Sequence, residues 1–390
     1  MREAMMAQQG YLIITDITGY TGFLTQAELE HAQGILADLF KALLGSMKPP
    51  FVIAKLEGDA IFAYSPPGGF IQAQTLIEAI EGVYFAFKRQ QEIIQLNTTC
   101  TCTACRLIPT LDLKFAVHHG SYLVQQLGPS RELTGADVIL IHRLLKNTVV
   151  ETTGVKAYAF FTAAAAEAID LGELCDEMIP HTERYEHIGE VHGYVYDLRP
   201  SLAYRKEQNR VEVTPDRAWI VITDEYPIPA PLLWDYLIEP SRRAAFLGVN
   251  GVSVTDRQNG RIGVGTIQHC EHGEGVSPHR VVDWRPFEYV THEDTTLPFG
   301  GVMRFTSRLT PFEGGTRLTA AFGVPFGKNA LHNLAMKVYA AVTRGGFKAA
   351  LEHNAATLKE IVLADLTAGR IPSLAQMETE SAAYLAAAAG

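Results

Sequence analysis

Two short stretches decide the fold of this sequence: DITGYT at Asp16–Thr21 and KLEGDA at Lys55–Ala60. The first follows an apolar run, Tyr11–Thr15, which is typical of a buried strand that ends in a carboxylate. The second places a glycine in a tight turn between two strand-like runs, where glycine adopts left-handed geometry most easily. We therefore expect one edge of a sheet to present both Asp16 and Asp59. Carboxylates, phosphate oxygens and water are the usual ligands of Mg²⁺, although each aspartate taken singly is also typical of a turn or cap.

The segments around these stretches mix helical and strand-like patterns. Apolar residues at helical spacing predict helices over residues 28–44, 71–96 and 136–146. Short apolar runs predict strands over residues 51–56, 60–64, 111–118, 121–127 and 185–198. The order is not a simple alternation of parallel units, so the predicted class is α+β.

Together, these motifs resemble the signatures of the class III nucleotidyl cyclases, the family of adenylyl and guanylyl cyclases. DITGYT resembles that family's D-I-x-G-[FY]-T motif, and KLEGDA resembles its K-x-x-G-D-A hairpin. Residues 117–120, 135–144 and 188–196 parallel later segments of the family in the same order. The resemblance implies that residues 11–199 form a ferredoxin-like cyclase-homology domain, preceded by an extension over residues 1–10.

The resemblance also implies roles for individual residues. Asp16 and Asp59 match the ligands of Mg²⁺ or Mn²⁺, which would activate the ribose 3′-hydroxyl of a nucleoside triphosphate and bridge its phosphates. Lys55 matches the position that selects adenine, and Glu132 falls near the second base-selecting position. Arg143 matches the residue that stabilises charge on the transferring phosphoryl group.

Two positions depart from the family's pattern. The transition-state asparagine, four residues before the arginine, is replaced by Ile139, which presents an aliphatic group on the same helix face. The triphosphate-binding lysine of the closing strand is replaced by His192, which is mostly neutral at pH 7. Because losing one charge-stabilising donor typically costs about a hundredfold or more in rate, the pattern indicates a metal site with impaired catalytic machinery.

Three functions are compatible with this first half. It is an adenylyl cyclase of low activity, a domain that binds nucleotide and metal without turnover, or a structural domain that sets the geometry of a dimer. In the class III family the site forms at a dimer interface from residues of both subunits. One such domain per chain therefore implies a homodimer.

A cysteine-rich segment interrupts the first half. Cys100, Cys102 and Cys105 place three thiols within six residues, a spacing that suits Zn²⁺ with its four tetrahedral ligands. The sequence leaves the fourth ligand open between Cys175, a histidine and a residue of a second subunit. The alternative is a reduced loop without metal.

The second half begins after a predicted linker, the polar residues 200–216. Residues 217–365 are predicted as one strand, two short helices, six strand-like runs and one long helix. This order, with VVDWRPFEYVT at Val281–Thr291 and GGTRLT at Gly314–Thr319, resembles the helix-grip fold of the START/SRPBCC superfamily and its polyketide cyclase-like members. The Ala-rich residues 366–390 are predicted to be a flexible tail.

The second resemblance implies an apolar cavity under the long helix, with a lipid or another hydrophobic small molecule as ligand. Six aromatic residues are candidates for its lining: Trp234, Phe246, Trp284, Phe299, Phe305 and Phe347. A histidine-rich run, HCEHGE at His269–Glu274, is a weaker metal candidate because strand alternation leaves neither face with three ligands.

Composition limits the remaining possibilities. Among the 390 residues, 47% are hydrophobic and the net charge is −10, which argues against nucleic acid or an anionic membrane as partner. No run approaches the roughly 18 consecutive apolar residues of a membrane span, and no signal-peptide pattern precedes the first strand. Five cysteines do not resemble a secreted disulfide framework. We therefore expect a cytoplasmic protein that does not insert into a membrane.

Overall fold

The structure is a computed structural model that describes residues 7–127, 130–208, 210–257, 260–273 and 275–389. These residues divide into two compact units, one within Met1–Lys206 and Ala375–Gly390 (unit 1) and the other within Glu207–Leu374 (unit 2). Of the predicted N-terminal extension, residues 1–6 lie outside the described residues, and Gln8–Gly10 already belong to the first strand.

Unit 1 combines one sheet with helices. Its strands are β1 (Gln8–Thr18), β2 (Val52–Glu57), β3 (Ala60–Ser65), β4 (Asp112–Leu127), β5 (Ser130–Thr134), β6 (Tyr158–Thr162), β7 (Ile179–Tyr185) and β8 (Gly189–Asp197). Its helices are α1 (Tyr20–Gln26), α2 (Leu29–Ser46), α3 (Ala73–Asn97), α4 (Thr103–Leu107), α5 (Ala136–Arg143), α6 (Val149–Thr153), α7 (Ala163–Ala168), α8 (Arg199–Glu207) and, from the end of the chain, α12 (Leu374–Ala389).

The strands of unit 1 follow the order β2-β3-β1-β4-β6-β8-β7, and β5 pairs with β4. β1 pairs antiparallel with both β3 and β4, whereas β4 and β6 are parallel. Residues 11–14 form an unbroken apolar run because β1 is central and buried on both faces. The register sets Asp16 opposite Ala60, so the turn that carries Asp59 lies beside the end of β1.

One face of this sheet is covered by α5. A buried cluster joins β1, β3 and α5 through Leu12, Ile14, Phe62, Tyr64, Val138 and Ile141, together with Leu144 directly after α5. Because side chains alternate along a strand, Asp16 continues the row of Leu12 and Ile14 on this same face. The apolar core therefore ends where the acidic residue begins.

Residues Leu374–Ala389 form a helix, so the predicted flexible tail over residues 366–390 is wrong for this part of the segment. Met377 of α12 is buried within the cluster that α5 also joins. The hydroxyl of Ser381 accepts a hydrogen bond from the backbone N–H of Ile53 at 3.1 Å. The alanine, leucine and glutamate residues of this segment are strong helix formers, and the docking of one apolar face stabilises the helix.

The predicted linker over residues 200–216 is also partly wrong. Arg199–Glu207 form α8, and the Arg199 guanidinium lies 3.1 Å from Asp112 Oδ2, which fastens the start of the helix to β4. A short 3-10 turn, Pro215–Arg217, precedes the first strand of unit 2. Charged residues of the predicted linker also form ion pairs, Lys206 with Glu92 and Glu212 with Arg308.

Unit 2 is an antiparallel sheet with two short helices and one long helix in its described residues. Its strands are β9 (Ile220–Tyr226), β10 (Gly251–Thr255), β11 (Ile267–His272), β12 (Gly275–Arg285), β13 (Tyr289–Leu297), β14 (Gly301–Phe312) and β15 (Gly315–Phe322). Its helices are α9 (Ala230–Ile238), α10 (Pro240–Leu247) and α11 (Ala330–Thr367). The sheet order is β10-β11-β12-β13-β14-β15-β9, and the elements follow one another along the chain as predicted.

The fold class agrees with the sequence prediction. Both units place helices beside a largely antiparallel sheet, so the α+β class is confirmed. Within the described residues, no helix combines the length and the apolar composition that a membrane crossing requires.

Candidate functional site

The two aspartates singled out in the sequence lie side by side at one end of β1. Asp16 pairs in register with Ala60, the neighbour of Asp59. The backbone N–H of Ile17 donates to the Asp59 carbonyl at 3.3 Å, which closes the turn against β1. The ammonium of Lys114, on β4, lies 2.9 Å from Asp16 Oδ2. The site therefore holds two carboxylates and one internal cation.

The proximity of the carboxylates changes the protonation of Asp59. Burial and the negative charge of Asp16 raise the pKa of the Asp59 carboxyl, and the opposing effect of Lys114 is smaller. A carboxyl pKa raised by a like charge means that the two anions repel each other. A divalent cation between them would relieve this repulsion more fully than a single ammonium does.

Lys55 and Glu132, the two proposed base-selecting residues, are also brought together. Lys55 Nζ on β2 lies 3.5 Å from Glu132 Oε2 on β5 and 3.8 Å from Glu57 Oε1. Both Lys55 and Glu132 remain partly exposed, so the pair offers one donor and one acceptor to solvent. A donor beside an acceptor is the arrangement that can read the edge of a purine base.

Ile139 and Arg143 lie one turn apart on α5. Arg143 is exposed and makes no ion pair within the described parts of the chain, and Ile139 is 60% exposed. The two residues line an open groove together with His142 and Lys146. His142 Nε2 lies 3.1 Å from Glu57 Oε2, which links α5 to the β2–β3 hairpin. The cationic side chains of the groove suit phosphate oxygens.

His192 lies on the edge hairpin formed by β7 and β8. Its Nδ1 is 2.9 Å from Thr182 Oγ1, its Nε2 is 3.7 Å from Glu190 Oε2, and the side chain is largely exposed. The structure therefore pairs His192 with neighbours on the hairpin and not with the acidic pair of β1.

A histidine–aspartate pair holds α5 on the sheet. No role for these two residues was predicted from the sequence. His118 Nε2 lies 3.3 Å from Asp137 Oδ1, and its Nδ1 lies 2.9 Å from Thr162 Oγ1. Burial lowers the pKa of His118, and Asp137 also accepts the backbone N–H of Ser121 at 2.6 Å. A Cβ at Gly120 would lie 2.4 Å from Asp137 Cγ, so only glycine fits there. The histidine–glycine segment of β4, visible in the sequence, thus positions α5.

The cysteine segment acquires a fourth ligand candidate from α2. His31 Nδ1 lies 3.1 Å from Cys102 Sγ, 3.8 Å from Cys100 Sγ and 4.0 Å from Cys105 Sγ. One ligand atom from each of these four residues lies within 4.8 Å of the others, and Cys175 is not among them. The sequence left the fourth ligand open between Cys175, a histidine and a residue of a second subunit, and the structure brings a histidine, His31, to the thiols.

Glu28 fastens the cysteine segment to the start of α2. Its carboxylate accepts the backbone N–H groups of Ala104 at 3.0 Å and Thr103 at 3.2 Å. These hydrogen bonds lower the pKa of the Glu28 carboxyl to about 2, and the bond from Ala104 has the largest effect. Cys102 caps α4 by accepting the N–H of Cys105 at 3.4 Å. Part of the segment is therefore a capped helix.

Unit 2 contains a cavity of about 90 Å³ between the sheet, α10 and α11. Apolar side chains such as Ile222, Leu318, Leu351 and Leu358 form most of its lining. Sites that enclose a drug-sized ligand span roughly 300–1,000 Å³. A ligand larger than a few atoms would therefore require the lining to move.

The predicted lining residues are divided between cavity and core. Phe246 and Phe305 line the cavity, whereas the structure places Trp234, Trp284, Phe299 and Phe347 outside its lining. The rings of Trp234 and Trp284 meet edge to face at 4.9 Å, and Phe347 stacks on Trp219 at 5.6 Å. Phe299 is 81% exposed in a turn. Core and cavity wall both require apolar side chains, so the sequence does not separate the two for Trp234, Trp284 and Phe347. Phe299 belongs to neither.

Arg243 is a buried cation in the cavity wall. Its Nη1 donates to the Leu237 carbonyl at 3.0 Å, while its Nε has no hydrogen-bond partner among the described residues. Burial lowers the pKa of Arg243. Burial and the nearby guanidinium lower the pKa of His279 to about 4 and hold that of His292 well below its ordinary value. Arg243 therefore gives the cavity wall one buried positive charge, and neither histidine belongs to the lining.

The histidine-rich run of β11 forms no metal cluster within the described residues. His269 Nε2 lies 2.9 Å from Thr255 Oγ1, and Cys270 is buried. Glu274, the last residue of the run, lies outside the described residues.

Comparisons with known proteins show what the chain is similar to. A family model described as "Protein of unknown function (DUF2652)" matches residues 36–153. Among solved structures, the chain is similar to the guanylyl cyclase Cya2, at 16% identity over 50% of this chain and 93% of that one, with a TM-score of 0.39. It is also similar to the adenylyl cyclase CyaB from P. aeruginosa, at 14% identity over 50% of this chain and 97% of that one, with a TM-score of 0.38.

A curated relative is similar in sequence over a long stretch. The uncharacterised protein Rv2561/Rv2562 of Mycobacterium tuberculosis is 32% identical over 166 residues, which are 43% of this chain and 74% of the relative. An identity of this level over about three quarters of the relative shows common descent. The chain belongs to the same family as the mycobacterial protein Rv2561/Rv2562.

Proposed function

We propose that this protein is a ligand-sensing or signalling protein in which unit 1, a degenerate nucleotidyl cyclase-like domain, binds a metal–nucleoside triphosphate complex. The observation that carries the proposal is the pairing of Asp16 and Asp59, where burial and mutual repulsion raise the pKa of Asp59. With Lys114 beside them, the two carboxylates keep a net negative charge that Mg²⁺ or Mn²⁺ would neutralise.

The remaining parts of a nucleotide match other features of unit 1. The Lys55–Glu132 pair would contact the base, with a preference for adenine, and the groove of Arg143 and Lys146 would contact phosphates. Arg143 is exposed and forms no ion pair with the acidic residues of its own chain, as far as the structure describes them. We therefore propose a homodimer in which Arg143 of one protomer serves the acidic pair of its partner.

Binding without efficient turnover is the favoured form of this function. Ile139 presents an aliphatic surface in the groove where a polar donor would meet the ribose, and His192 binds to its own hairpin. Each missing donor typically costs about a hundredfold in rate, so the two losses together leave a binding domain.

The test is isothermal titration of the full chain with ATP or GTP in the presence of Mn²⁺ or Mg²⁺, together with an assay for cyclic nucleotide. We expect binding that requires the divalent cation and that Asp59→Asn abolishes. Asp38→Asn, which changes an exposed carboxylate on α2, serves as the matched control. Nucleotide binding that is independent of metal and of Asp59 would refute the proposed site.

The alternative is an active adenylyl cyclase under the control of unit 2. The presence of Asp16 and Asp59, and of Lys55 and Arg143, favours this alternative. Formation of cyclic AMP that is lost in Asp59→Asn and retained in Asp38→Asn would establish this alternative in place of a binding domain.

Unit 2 is proposed to bind a hydrophobic small molecule or lipid in its helix-grip cavity, as a member of the START/SRPBCC type. The apolar lining under α11 supports this assignment. Native mass spectrometry of the purified chain is expected to show a co-purified apolar ligand, or binding of added apolar compounds. A chain that neither carries nor accepts any such compound would contradict a ligand-sensing role.

A further inference from the structure

We propose that His31, Cys100, Cys102 and Cys105 form a closed zinc site in which His31 is the fourth ligand, through Nδ1. The three thiols and the imidazole converge from two segments that are about 70 residues apart in the chain. Three thiolates and one histidine form a common ligand set of structural zinc sites.

The spacing of the four ligand atoms fits tetrahedral coordination. Zinc bonds of about 2.3 Å to sulfur and about 2.0 Å to nitrogen place ligand atoms roughly 3.5–3.8 Å apart in a tetrahedron. The distances from His31 Nδ1 to the three sulfurs, 3.1, 3.8 and 4.0 Å, lie around these values. Shifts of a few tenths of an ångström would complete the geometry.

The backbone around the cluster is held independently of any metal. Glu28, three residues before His31, accepts two N–H groups from the start of α4, and Cys102 caps the same helix. The Cys105 sulfur also lies 3.7 Å from Thr98 Oγ1, and this contact orients the Cys105 thiol, one of the proposed zinc ligands. Zinc would therefore join two segments whose relative position is already fixed.

The ligand set also defines what the site does. Four protein ligands leave no open coordination position, so the metal would stabilise the contact between α2 and α4 and would not activate water. Binding converts three thiols to thiolates and releases their protons, so zinc affinity rises with pH. The site is separate from the acidic pair of β1, and its role does not depend on nucleotide binding.

The experiment measures metal content of the full chain purified without chelator, by inductively coupled plasma mass spectrometry. We expect one zinc per chain in the wild type and less than a tenth of that in His31→Ala and Cys102→Ser. Cys175→Ser, which changes a thiol outside the cluster, should retain the metal. His31→Cys provides four thiolates and should restore binding, which separates a lost ligand from a lost fold.

Cobalt provides a spectroscopic readout that does not depend on purification history. Co²⁺ added to the metal-free chain should produce thiolate-to-cobalt charge-transfer absorption that is absent in Cys102→Ser and weakened in His31→Ala. Wild-type protein with neither bound transition metal nor this absorption, or with a disulfide within the three cysteines, would overturn the proposal. Zinc retained at the wild-type level by His31→Ala would overturn the assignment of the fourth ligand.

A different observation, the buried Arg243, supports a second inference, which rests on the proposed ligand binding by unit 2. We infer that the ligand of the cavity carries an anionic head group, such as a carboxylate, on an apolar body. Arg243 lines the cavity, is 5% exposed and, among the described residues, has no carboxylate partner. Its Nε donor is also unused there.

The polar partners of Arg243 are the Leu237 carbonyl and the Cys270 side chain. A buried guanidinium without a carboxylate partner is costly, and a ligand carboxylate would compensate its charge through a hydrogen bond to the unused Nε. The cavity carboxylate Asp224 does not do this, because its Oδ1 lies 2.6 Å from Lys359 Nζ. The apolar residues Leu318 and Leu358 offer contacts for the body of the ligand.

The test compares n-alkyl carboxylates from butanoate to dodecanoate with the alcohols of equal chain length, by isothermal titration of the full chain. We expect each carboxylate to bind at least tenfold more tightly than its alcohol, and Arg243→Met to remove that difference. Equal affinity of acids and alcohols would refute the anionic head group and leave the apolar site intact. Failure of both series to bind would refute the ligand-binding function itself.

Discussion

Lys114 Nζ and Asp16 Oδ2 form an ion pair of 2.9 Å beside Asp59, and the same ammonium donates to the Leu145 carbonyl at 3.0 Å. The chain therefore supplies its own cation to the acidic pair and holds it from two sides. This ammonium offsets part of the repulsion that raises the pKa of Asp59. It would also compete with a metal ion at the proposed site.

Replacement of Lys114 by methionine should tighten Mn²⁺ binding. The change removes one positive charge and leaves two carboxylates without their internal counter-ion, so a gain of about tenfold in affinity, or about 1.4 kcal/mol, is expected. Titration followed by electron paramagnetic resonance of free Mn²⁺ measures it. Lys146→Met, which removes an exposed lysine beyond α5, should leave the affinity within twofold of wild type.

Replacement of Ile139 by asparagine should create or increase cyclase turnover. The side chain is exposed in the groove of Arg143, so the amide can be accommodated without loss of core packing. A new donor to the transition state is worth about a hundredfold in the rate of cyclic product formation. Ile139→Ala removes the same aliphatic group without adding a donor, and an equal increase in that variant would exclude the donor explanation.

Replacement of Lys55 by glutamate should change the preference between nucleotides. The substitution removes the donor that pairs with Glu132 and places two acceptors side by side. The ratio of ATP to GTP affinity, measured by isothermal titration with Mn²⁺, is expected to fall at least tenfold. An unchanged ratio in protein that still binds nucleotide would show that this pair does not contact the base.

Replacement of Met377 by alanine should release α12 from unit 1. The methionine is almost fully buried, and its truncation is expected to cost about 2–5 kcal/mol. Hydrogen exchange measured by mass spectrometry should increase in α12 and in the neighbouring β2. Glu378→Ala, an exposed change one residue later, should leave exchange unaffected.

Acid should destabilise unit 2 through His279 and His292. Burial lowers both pKa values in the folded state, that of His279 from 6.5 to about 4, so both imidazoles fold in the neutral form. Above pH 6.5 both histidines are neutral in the folded and in the unfolded chain, and they do not lower the free energy of unfolding. As pH falls from 6.5 towards 4, the unfolded chain binds protons that the folded chain does not, so the free energy of unfolding decreases by up to about 1.4 kcal/mol per pH unit for each histidine. Arg243 opposes protonation of His279, and Asp294, at 3.8 Å, favours it.

Tryptophan fluorescence during urea unfolding measures this effect selectively. The three tryptophans of the chain, Trp219, Trp234 and Trp284, all lie in unit 2. His279→Gln should flatten the pH dependence in this window, whereas the exposed His353→Gln should not. A pH dependence that is the same in all three proteins would contradict the assignment.

The sequence around Asp16 and Asp59 predicted much of unit 1 because the residues that form these motifs are close together in the chain. A strand, a glycine turn and a second strand lie within consecutive residues, and pairing of the strands is enough to bring the carboxylates together. Lys114 was not identified because it reaches the site only through the pairing of β4 with β1, and a lysine on a strand carries no distinctive spacing.

The histidine of the cysteine cluster and the role of α12 could not be predicted for a related reason. His31 is 69 residues before Cys100, and only the packing of α2 against α4 shows that it faces the thiols. The composition of α12 is compatible with both a frayed tail and a docked helix. The burial of Met377, which decides between them, is a tertiary contact.

Because α12 returns to unit 1, unit 2 is an insertion between Lys206 and Ala375 and not an appendage at the end of the chain. During synthesis, the core around Leu12 and Tyr64 must wait for Met377, which leaves the ribosome after the whole of unit 2. The contacts of Met377 in unit 1 can therefore form only after all of unit 2 has been made. Both ends of unit 2 therefore continue into unit 1, one through α8 and the other through α12.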